Sequence, residues 1–376
     1  MIQSQPFALP LTGIKVIDAT SNIAGPFGGA ILADLGAEVL KLESPQGDPS
    51  RNMVPLDGDR SAYFHITNRN KKVTTLDFKT EEGQDKFSKL LEGYDVFLTN
   101  FLPDNLSKLH LEPSTLMNKF PQLIYGNLSS YGSIGLDANR AGYDATVQAR
   151  TGIMAITGET NSSPVRTGVS VLDMGSGTWL ALGVLAALVK RERTGKGSLI
   201  ETSLYETGVS WVSYHLASFQ ISGQPSNRYG AAHPTFSPYD LYEASDGQVC
   251  IGVGSDQVFN KLMNALGRLE LIKDERFLSN KARVDNRNIL NEEINNCTRK
   301  NTVQYWVKIL GEAGVPADAV VLPEKLLNDP QAQALNMLLK NPDSTALVEK
   351  IPGLPIRING ERPPIRNSAP HQESDS

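Results

Sequence analysis

Short apolar runs alternate with polar or amphipathic stretches over the first half of the chain. The runs at 14–19, 39–43, 73–78, 95–100, 123–129 and 199–204 have the length and the residue types of buried strands. A glycine-bearing turn at 24–29 is predicted to lead into a helix with the sequence GGAILADLGAEV. Strands that alternate with helices predict an α/β protein with a mostly parallel, doubly wound sheet.

The pattern changes after an apolar helix predicted over 178–191, where the basic residues and glycines of KRERTGKGS indicate a helix end. The next stretch is rich in Ser, Tyr, Gly, Pro and His, as in a linker, and strand signals then precede helical ones. The polar C-terminus has little apolar surface to bury. The predicted organisation is a large domain over 1–205, a linker over 206–237, a smaller α+β domain over 238–325, a proline-rich segment over 326–366 and a disordered tail over 367–376.

Charge, cysteine spacing and apolar run length exclude several classes of function. The net charge of −5 argues against general nucleic-acid binding, because duplex-binding proteins present an excess of lysine and arginine. The N-terminal sequence has neither a secretory nor a transit pattern, so a cytoplasmic location is expected. The longest apolar run, 179–189, is about half of the roughly 20 residues that span a bilayer, so no membrane partner is expected. Cys250 and Cys297 lack CxxC spacing, so neither a disulfide framework nor a metal site is predicted.

The common cofactor and hydrolase motifs do not occur in the sequence. The spacing of Gly25, Gly28 and Gly29 does not fit G-x-G-x-x-G, which favours a plain Rossmann-like element over an NAD site. Neither a G-x-S-x-G elbow, an H-E-x-x-H pair nor a Walker loop is present. With only five histidines and no triad pattern, Ser–His hydrolysis has little support.

Three segments carry side chains that could bind or react. Residues 67–72 bring three cations into a tight turn, which suits either phosphate binding or a solvated loop. Asn100 ends a predicted strand, at the edge where open α/β sheets bind ligands, although a strand-terminating turn explains it equally. Asp173 precedes the apolar helix, so its default interpretation is a helix N-cap. At that place the helix dipole and free N–H groups are expected to keep the carboxylate ionised.

The chain resembles the class III CoA-transferases, the family of formyl-CoA transferase and carnitine CoA-transferase, over nearly its whole length. The resemblance implies a Rossmann-like large domain built from both chain ends, with 326–366 returning to it, and a smaller domain between. It also implies an interlocked homodimer and transfer of CoA from an acyl-CoA to a carboxylic acid. The segments that carry it are KVIDATSNIAGPFGGAILADLGAEVLKLESPQGDPSR, NRNKKVTTLDFK, NFLPDNLSKL, AGYDATVQARTGIM, VRTGVSVLDMGSG, KRERTGKGSLIETSLYE, RYGAAHPTFSPY and EAGVPADAV.

The same resemblance implies roles for individual residues. Asp173 would be the nucleophile, with Tyr143 and Asp144 of the GYD segment near it. Residues 229–234, including His233, replace the family's glycine-rich lid and would close the site. The residues implied to bind CoA are Ala24, Asn68, Lys71, Lys72, Asn100, Phe101 and Lys108, with Arg69 and Arg51 as further candidates.

The implied mechanism passes through covalent intermediates on Asp173. An ionised carboxylate needs no general base to attack a thioester, and a mixed anhydride and then an aspartyl-CoA thioester would follow. Backbone N–H groups around Gly175 and the helix start are expected to stabilise the oxyanion. Because one thioester replaces another, no ATP, metal or permanently bound cofactor is expected.

Several residues depart from the family pattern and leave alternatives open. Formyl-CoA transferase has His and Gln where this chain has Ser21 and Ile23, which weakens an oxalate assignment, and Leu102 stands where many relatives have Arg. The α-methylacyl-CoA racemases of the same fold have a histidine where this chain has Tyr143, whose ordinary pKa of about 10 suits proton shuttling poorly. Racemisation and non-catalytic CoA binding are the alternatives to transfer.

Overall fold

The computed structural model of the protein describes residues 9–372. The chain divides into two compact units. The first contains the described residues up to Ile153, Arg166–Gly223 and the described residues from Leu327 onward. The second contains Met154–Val165 and Gln224–Leu326.

The helices and strands are numbered in chain order. The strands are β1 (Lys15–Asp18), β2 (Glu38–Glu43), β3 (Leu56–Asp57), β4 (Arg60–Ser61), β5 (Lys71–Thr75), β6 (Val96–Thr99), β7 (Ile124–Ser129), β8 (Ser198–Ser203), β9 (Tyr239–Ala244), β10 (Gly247–Gly252), β11 (Ala317–Ala319), β12 (Leu338–Lys340) and β13 (Lys350–Pro352). The helices are α1 (Ala24–Asp34), α2 (Ala62–Asn68), α3 (Glu81–Leu91), α4 (Pro103–Lys108), α5 (Pro113–Lys119), α6 (Asp144–Arg150), α7 (Ile153–Ile156), α8 (Val171–Thr194), α9 (Leu204–Trp211), α10 (Ser213–Ser222), α11 (Asp256–Ala265), α12 (Asn280–Asp285), α13 (Arg287–Thr298), α14 (Val303–Glu312) and α15 (Pro330–Ala334). Short 3₁₀ turns occupy Pro49–Asn52, Leu269–Ile272 and Pro323–Asn328.

The first unit contains a six-stranded sheet in the order β5-β2-β1-β6-β7-β8. Every neighbouring pair in this sheet runs parallel, which confirms the predicted mostly parallel sheet. The strand order reverses between β1 and β6, where Ile17 pairs with Phe97. In open α/β sheets the crevice at the carboxyl ends of two such strands is the usual ligand site.

Both faces of the centre of this sheet are covered, which explains why β1, β6 and β7 are buried along nearly their whole length. On one face, Phe97 and Tyr125 pack with Phe87 of α3 and with leucines of α4 and α5. On the other face, α8 packs against β7, β8 and α1. Side chains alternate along a strand, so Gly126 faces α8, where an added Cβ would lie 3.0 Å from Leu180 Cδ1.

The predicted turn at 24–29 is wrong, because α1 begins at Ala24 and includes these glycines. The glycines permit a close crossing of two helices rather than a turn. A Cβ at Gly28 would lie 2.8 Å from the backbone oxygen of Gly177 in α8, and one at Gly177 would lie 2.4 Å from that of Ala24. Any larger side chain at this crossing would push α1 away from α8.

Helix α8 is longer than its apolar run suggested. Its 24 residues are long and apolar enough to cross a membrane by length and composition, and half of its most apolar stretch is buried inside the fold. Contacts with α1, β7 and β8 account for that burial. Such burial is typical of a core helix.

Two of the segment predictions differ from the structure. The predicted linker over 206–237 is helical in its first half, where α9 and α10 extend to Ser222. The predicted disordered tail is ordered at residues 367–372: Ala369 is buried, the Asn367 N–H donates to Asn70 Oδ1 at 2.9 Å, and the Gln372 N–H donates to Asp59 at 2.6 Å. Local polar composition did not reveal these partners, which lie about 300 residues earlier. Residues 373–376 lie outside the described part of the chain.

The second unit is built on an antiparallel three-stranded sheet in the order β11-β10-β9. Helices α11, α13 and α14 cover it, and its core contains Tyr242, Phe259, Phe277 and Trp306. Strands followed by helices agree with the α+β pattern read from this part of the sequence.

Candidate active site

Asp173 is the third residue of α8 and does not cap it. The helix N-cap is Ser170, which makes no side-chain capping bond. The capping carboxylate belongs to Asp144, the first residue of α6, whose Oδ2 accepts from the N–H of Leu172 at 2.7 Å and of Asp173 at 3.1 Å. The expectation that Asp173 is an N-cap is therefore wrong, because a residue 29 positions earlier performs that function.

The electrostatics of Asp173 also oppose the expectation from sequence. Burial, and second the nearby negative charge of Asp144, raise the pKa of Asp173 to about 7. The first N–H groups of α8 donate to Asp144 and leave little stabilisation for the Asp173 carboxylate. Asp173 is consequently a half-buried carboxyl group that is partly protonated at neutral pH.

Asp173 lines a small cavity of about 100 Å³ at the carboxyl end of the parallel sheet. The cavity lies where β1 and β6 end, at the point where the strand order reverses. Four of the residues singled out from sequence meet here: Ala24, Asn100, Tyr143 and Asp173. The other lining residues are Ser21, Asn22, Ile23, Met53, Leu102, Leu128, Ser129, Ser130, Gly142 and Leu204.

The loop opposite Asp173, residues 19–23, is held by hydrogen bonds from several elements. Asn100 donates to the backbone oxygen of Ser21 at 3.0 Å and accepts from its N–H at 3.1 Å. Lys41 Nζ donates to the Thr20 oxygen at 3.0 Å and pairs with Asp48, which accepts from the Asn22 N–H. The Lys41–Asp48 pair is buried and holds this loop from beneath. Neither residue lines the cavity.

Sequence reasoning missed Lys41 and Asp48. The available signal was a lysine inside a strand whose other residues are mainly apolar, which requires a buried acidic partner. The partner itself follows only from the fold.

The structure corrects the prediction that Lys71 and Asn68 contact CoA. Lys71 is fully buried, and its ammonium donates to Asp18 Oδ2 at 2.7 Å, the Pro26 oxygen at 2.7 Å and Asn68 Oδ1 at 3.0 Å. Burial lowers the pKa of Lys71 to about 8, and Asp18 keeps the ammonium charged at neutral pH. All three hydrogens of this ammonium are used inside the protein, beneath α1.

Arg69 and Arg51 are likewise structural rather than candidate CoA ligands. Arg69 is buried and forms an ion pair with Asp34 at 2.6 Å. Arg51 is buried over the ring of Phe64 and binds Glu43 through two nitrogens, each at 2.9 Å. A guanidinium with both edges occupied by protein groups has no free fork for a phosphate.

Three further predicted CoA residues lie outside the cavity of Asp173. Lys72 is exposed and lines a different cavity with Glu38 and Val39, at the amino end of β2, so it lies at the opposite edge of the sheet. Phe101 is half-buried, edge-on to Phe78 with ring centroids 5.8 Å apart. Lys108 is exposed in the last turn of α4.

Gly175 allows α9 to pack closely against α8. A Cβ at this position would lie 2.3 Å from the ring of Trp211 in α9. As the fifth residue of α8, Gly175 has its N–H within the hydrogen-bonding pattern of the helix. The N–H of Gly175 is therefore not free to donate to an oxyanion, and a donor elsewhere at the helix start stays a prediction.

Tyr143 lies at the cavity of Asp173, whereas His233 belongs to the second unit. Tyr143 is the N-cap residue of α6 and is exposed at the cavity of Asp173. His233 lies in the second unit, where its ring contacts Phe236 and Tyr239 and its Nδ1 accepts from the Thr235 N–H. Burial and the Arg287 charge lower the pKa of His233, and its role in closing the site stays a prediction.

A family model and curated relatives match the chain along most of its length. The model described as CoA-transferase family III matches residues 11–376. An acetyl-CoA:oxalate CoA-transferase of Acetobacter aceti is 35% identical over 364 residues, covering 96% of this chain and 92% of that protein. A succinate–glutarate CoA-transferase of Agrobacterium fabrum is 36% identical over 371 residues, with the same coverage. The human succinyl-CoA:glutarate CoA-transferase is 32% identical over 352 residues, covering 93% and 80%.

Solved structures share this fold over nearly the whole chain. A CaiB/BaiF family protein from Brucella suis superimposes with a TM-score of 0.85 at 36% identity and covers 96% of each chain. A protein from Mycobacterium tuberculosis superimposes with a TM-score of 0.86 at 29% identity, covering 96% of this chain and 97% of that one.

Proposed function

Because the chain belongs to CoA-transferase family III and is a CoA-transferase, we propose that it transfers CoA through covalent intermediates on Asp173. The observation that carries this proposal is the placement of Asp173 in the cavity at the β1–β6 switch point, together with three other residues implied by the resemblance. The relatives above are CoA-transferases, so neither racemisation nor non-catalytic binding is retained as the function.

The proposed reaction exchanges one thioester for another in four steps. The Asp173 carboxylate attacks the donor thioester carbonyl, and CoA leaves as a thiolate from a mixed anhydride. The thiolate then attacks the aspartyl carbonyl, forms an aspartyl-CoA thioester and releases the donor acid. The acceptor carboxylate attacks this thioester, forms a second anhydride and again frees the thiolate. Attack of the thiolate on the acceptor's carbonyl yields the new acyl-CoA and restores Asp173, so neither ATP nor a permanently bound cofactor is needed.

The environment of Asp173 supports a nucleophilic role. A pKa of about 7 makes the ionised form more nucleophilic than an ordinary carboxylate while keeping a substantial fraction ionised at neutral pH. Its half-buried position limits the access of water, which would hydrolyse an anhydride. The Lys41–Asp48 pair holds the facing loop in place, so the cavity is organised before substrate binds.

The CoA groove is proposed to run along the carboxyl end of the sheet. Ala24 and Asn100 line the cavity of Asp173, and Phe101 and Lys108 follow in and after the β6–α4 connection. Lys108 is exposed and is free to bind a phosphate as a point charge.

The acids are proposed to be short dicarboxylic acids. The curated relatives are named for oxalate, succinate and glutarate, each of which has two carboxylates. The apolar Ile23 side chain in the cavity of Asp173 favours an acid that has carbon atoms between its carboxylates over oxalate.

Trapping the intermediate tests the covalent route. Incubation with acetyl-CoA or succinyl-CoA and hydroxylamine, without acceptor, is expected to convert Asp173 to a hydroxamate, since both the anhydride and the thioester react with this nucleophile. Peptide mass spectrometry locates the change, and Asp144, 29 residues earlier, is the internal control that stays unmodified. An enzyme that transfers CoA at full rate while the Asp173 peptide never changes would refute the covalent route.

The activity is expected to fall at acidic pH because of the raised pKa of Asp173. Only the ionised form attacks, so kcat/KM should fall about tenfold per pH unit below about pH 7. Asp144→Asn keeps an oxygen that can accept from the N–H groups of α8 but removes the charge, and its acidic limb should move to lower pH. The surface variant Asp137→Asn should leave the profile unchanged. A limb that does not move in Asp144→Asn contradicts the electrostatic cause.

The protein is proposed to act as a homodimer. Helix α10 has no buried residue, and Tyr214, Leu216, Phe219 and Ile221 are exposed on it. Trp179 and Leu182 of α8 are exposed as well, and so much apolar surface suits a protein partner. Light scattering on the purified chain should give twice the mass of one chain, and Phe219→Lys together with Ile221→Lys should weaken the dimer. A monomer at micromolar concentration would contradict this proposal.

A further inference from the structure

A second cavity, of about 340 Å³, adjoins the cavity of Asp173. Ile23 lines both cavities, and Ser170 and Met174, on either side of Asp173 in the sequence, line the second one. Its volume is within the range of small-molecule sites. Its lining residues are Ile23, Phe27, Ala62, Tyr63, Ile66, Thr67, Arg166, Gly168, Val169, Ser170 and Met174.

The lining is mainly apolar, and Arg166 is its one charged residue. Within residues 9–372 no ion pair joins Arg166 to an acidic side chain, and the exposed guanidinium donates a hydrogen bond to the backbone oxygen of Thr167 at 3.3 Å. Its planar donor fork is therefore free for an anion, and this geometry matches a carboxylate in two-point contact. An apolar cavity with one cation at its wall fits a ligand with a hydrocarbon segment and a terminal negative charge.

A chain of hydrogen bonds fixes the Arg166 segment relative to Asp173. The fully buried Gln148 accepts from the Thr167 N–H at 3.0 Å and donates to Thr167 Oγ1 at 3.1 Å. The same amide donates to Asp144, whose other oxygen accepts from the Asp173 N–H. The buried side chain of Gln148 thus positions both the Arg166 segment and the first turn of α8, which contains Asp173.

We propose that this cavity holds the carbon chain of a dicarboxylic acid, with one carboxyl group at Asp173 and the second carboxylate bound by Arg166. This inference rests on the proposed function and adds to it the residue that selects diacids over monoacids. A monocarboxylic acid of the same length enters the cavity in the same way but leaves the guanidinium without its anion, so its transition state gains less binding energy.

The test compares glutarate with pentanoate, which has the same number of carbons and lacks the second carboxylate. Wild type and Arg166→Met are assayed for transfer from succinyl-CoA and from acetyl-CoA. Arg166→Met is expected to lower kcat/KM for glutarate by about 10- to 100-fold, the range of a lost hydrogen bond to a charged group, and to change that for pentanoate by less than about threefold. Arg193→Met, an exposed arginine at the other end of α8, is the matched control and should leave both values unchanged.

A second readout does not depend on turnover. Calorimetric titration of the intact protein with glutarate should show binding to wild type that weakens by a similar factor in Arg166→Met, with unaltered melting temperature. Equal losses for glutarate and pentanoate, no loss for either, or glutarate binding that ignores the substitution would each overturn the role of Arg166. By contrast, wild-type transfer that persists in Asp173→Asn would overturn the proposed function, whatever Arg166 does.

Discussion

Asp173→Asn is expected to reduce CoA transfer by at least about 10⁴-fold, the scale on which loss of an enzyme nucleophile is usually measured. The amide has no ionised oxygen to attack a thioester, and the cavity of Asp173 offers no other carboxylate among its lining residues. The readout is acyl-CoA product by mass spectrometry, with protein used fresh because deamidation would restore the aspartate. Asp173→Ala, which cannot revert in this way, should show the same loss.

The control for Asp173→Asn is its thermal stability, and the pKa of Asp173 predicts the direction in which the melting temperature changes. The pKa of Asp173 is raised in the folded protein, mainly by burial, so the ionised side chain destabilises the fold and this cost is complete above about pH 7. Asp173→Asn should therefore melt no lower than wild type at pH 8, and any gain should vanish toward pH 4. A fully folded Asp173→Asn enzyme with more than about a hundredth of wild-type transfer would contradict the nucleophile assignment.

Lys71→Met is expected to destabilise the fold by about 3–5 kcal/mol, the cost typical of removing one partner of a buried ion pair. The substitution leaves the fully buried Asp18 carboxylate without its 2.7 Å partner and the Pro26 oxygen without its donor. Because both groups support the start of α1, we expect the midpoint of urea unfolding to fall clearly. Circular dichroism and the fluorescence of Trp179 and Trp211 would follow the transition.

Lys72→Met is the matched control for this prediction. The neighbouring lysine is exposed, so its replacement should change the free energy of unfolding by less than about 0.5 kcal/mol. If Lys71→Met were as stable as Lys72→Met and instead weakened CoA binding, the structural role of Lys71 would be refuted. The pair thus separates a buried structural cation from a ligand-binding one with the same side chain.

The parallel sheet could be predicted from sequence because its pattern is local. The central strands β1, β6 and β7 are short runs buried along nearly their whole length, so periodicity and length suffice to locate them. The same argument failed at 24–29, where glycines usually indicate a turn. There, the close approach of α8 at Gly177 requires small residues inside a helix, and that contact joins segments about 150 residues apart.

The residues of the candidate site were likewise predicted only in part. Asp173, Tyr143, Ala24 and Asn100 were named from sequence and line one cavity, whereas the resemblance also implied CoA contacts for the cations of 67–72, of which none lines this cavity. Charge does not reveal direction: at the start of β5, the side chain of Lys71 points inward to Asp18 and that of Lys72 is exposed. Only the backbone path separates them.

The sequence by itself determined the class of fold and the family, and it named the carboxylate that is proposed to react, because apolar periodicity and collinear motifs are properties of neighbouring residues. The tertiary structure alone decided what surrounds that carboxylate. It placed Asp144 at the start of α8 and Arg166 beside an apolar cavity. Burial, and second the charge of Asp144, then raise the pKa of Asp173 to about 7. These properties depend on distances between side chains that are far apart in the chain, and a linear pattern contains no measure of such distances.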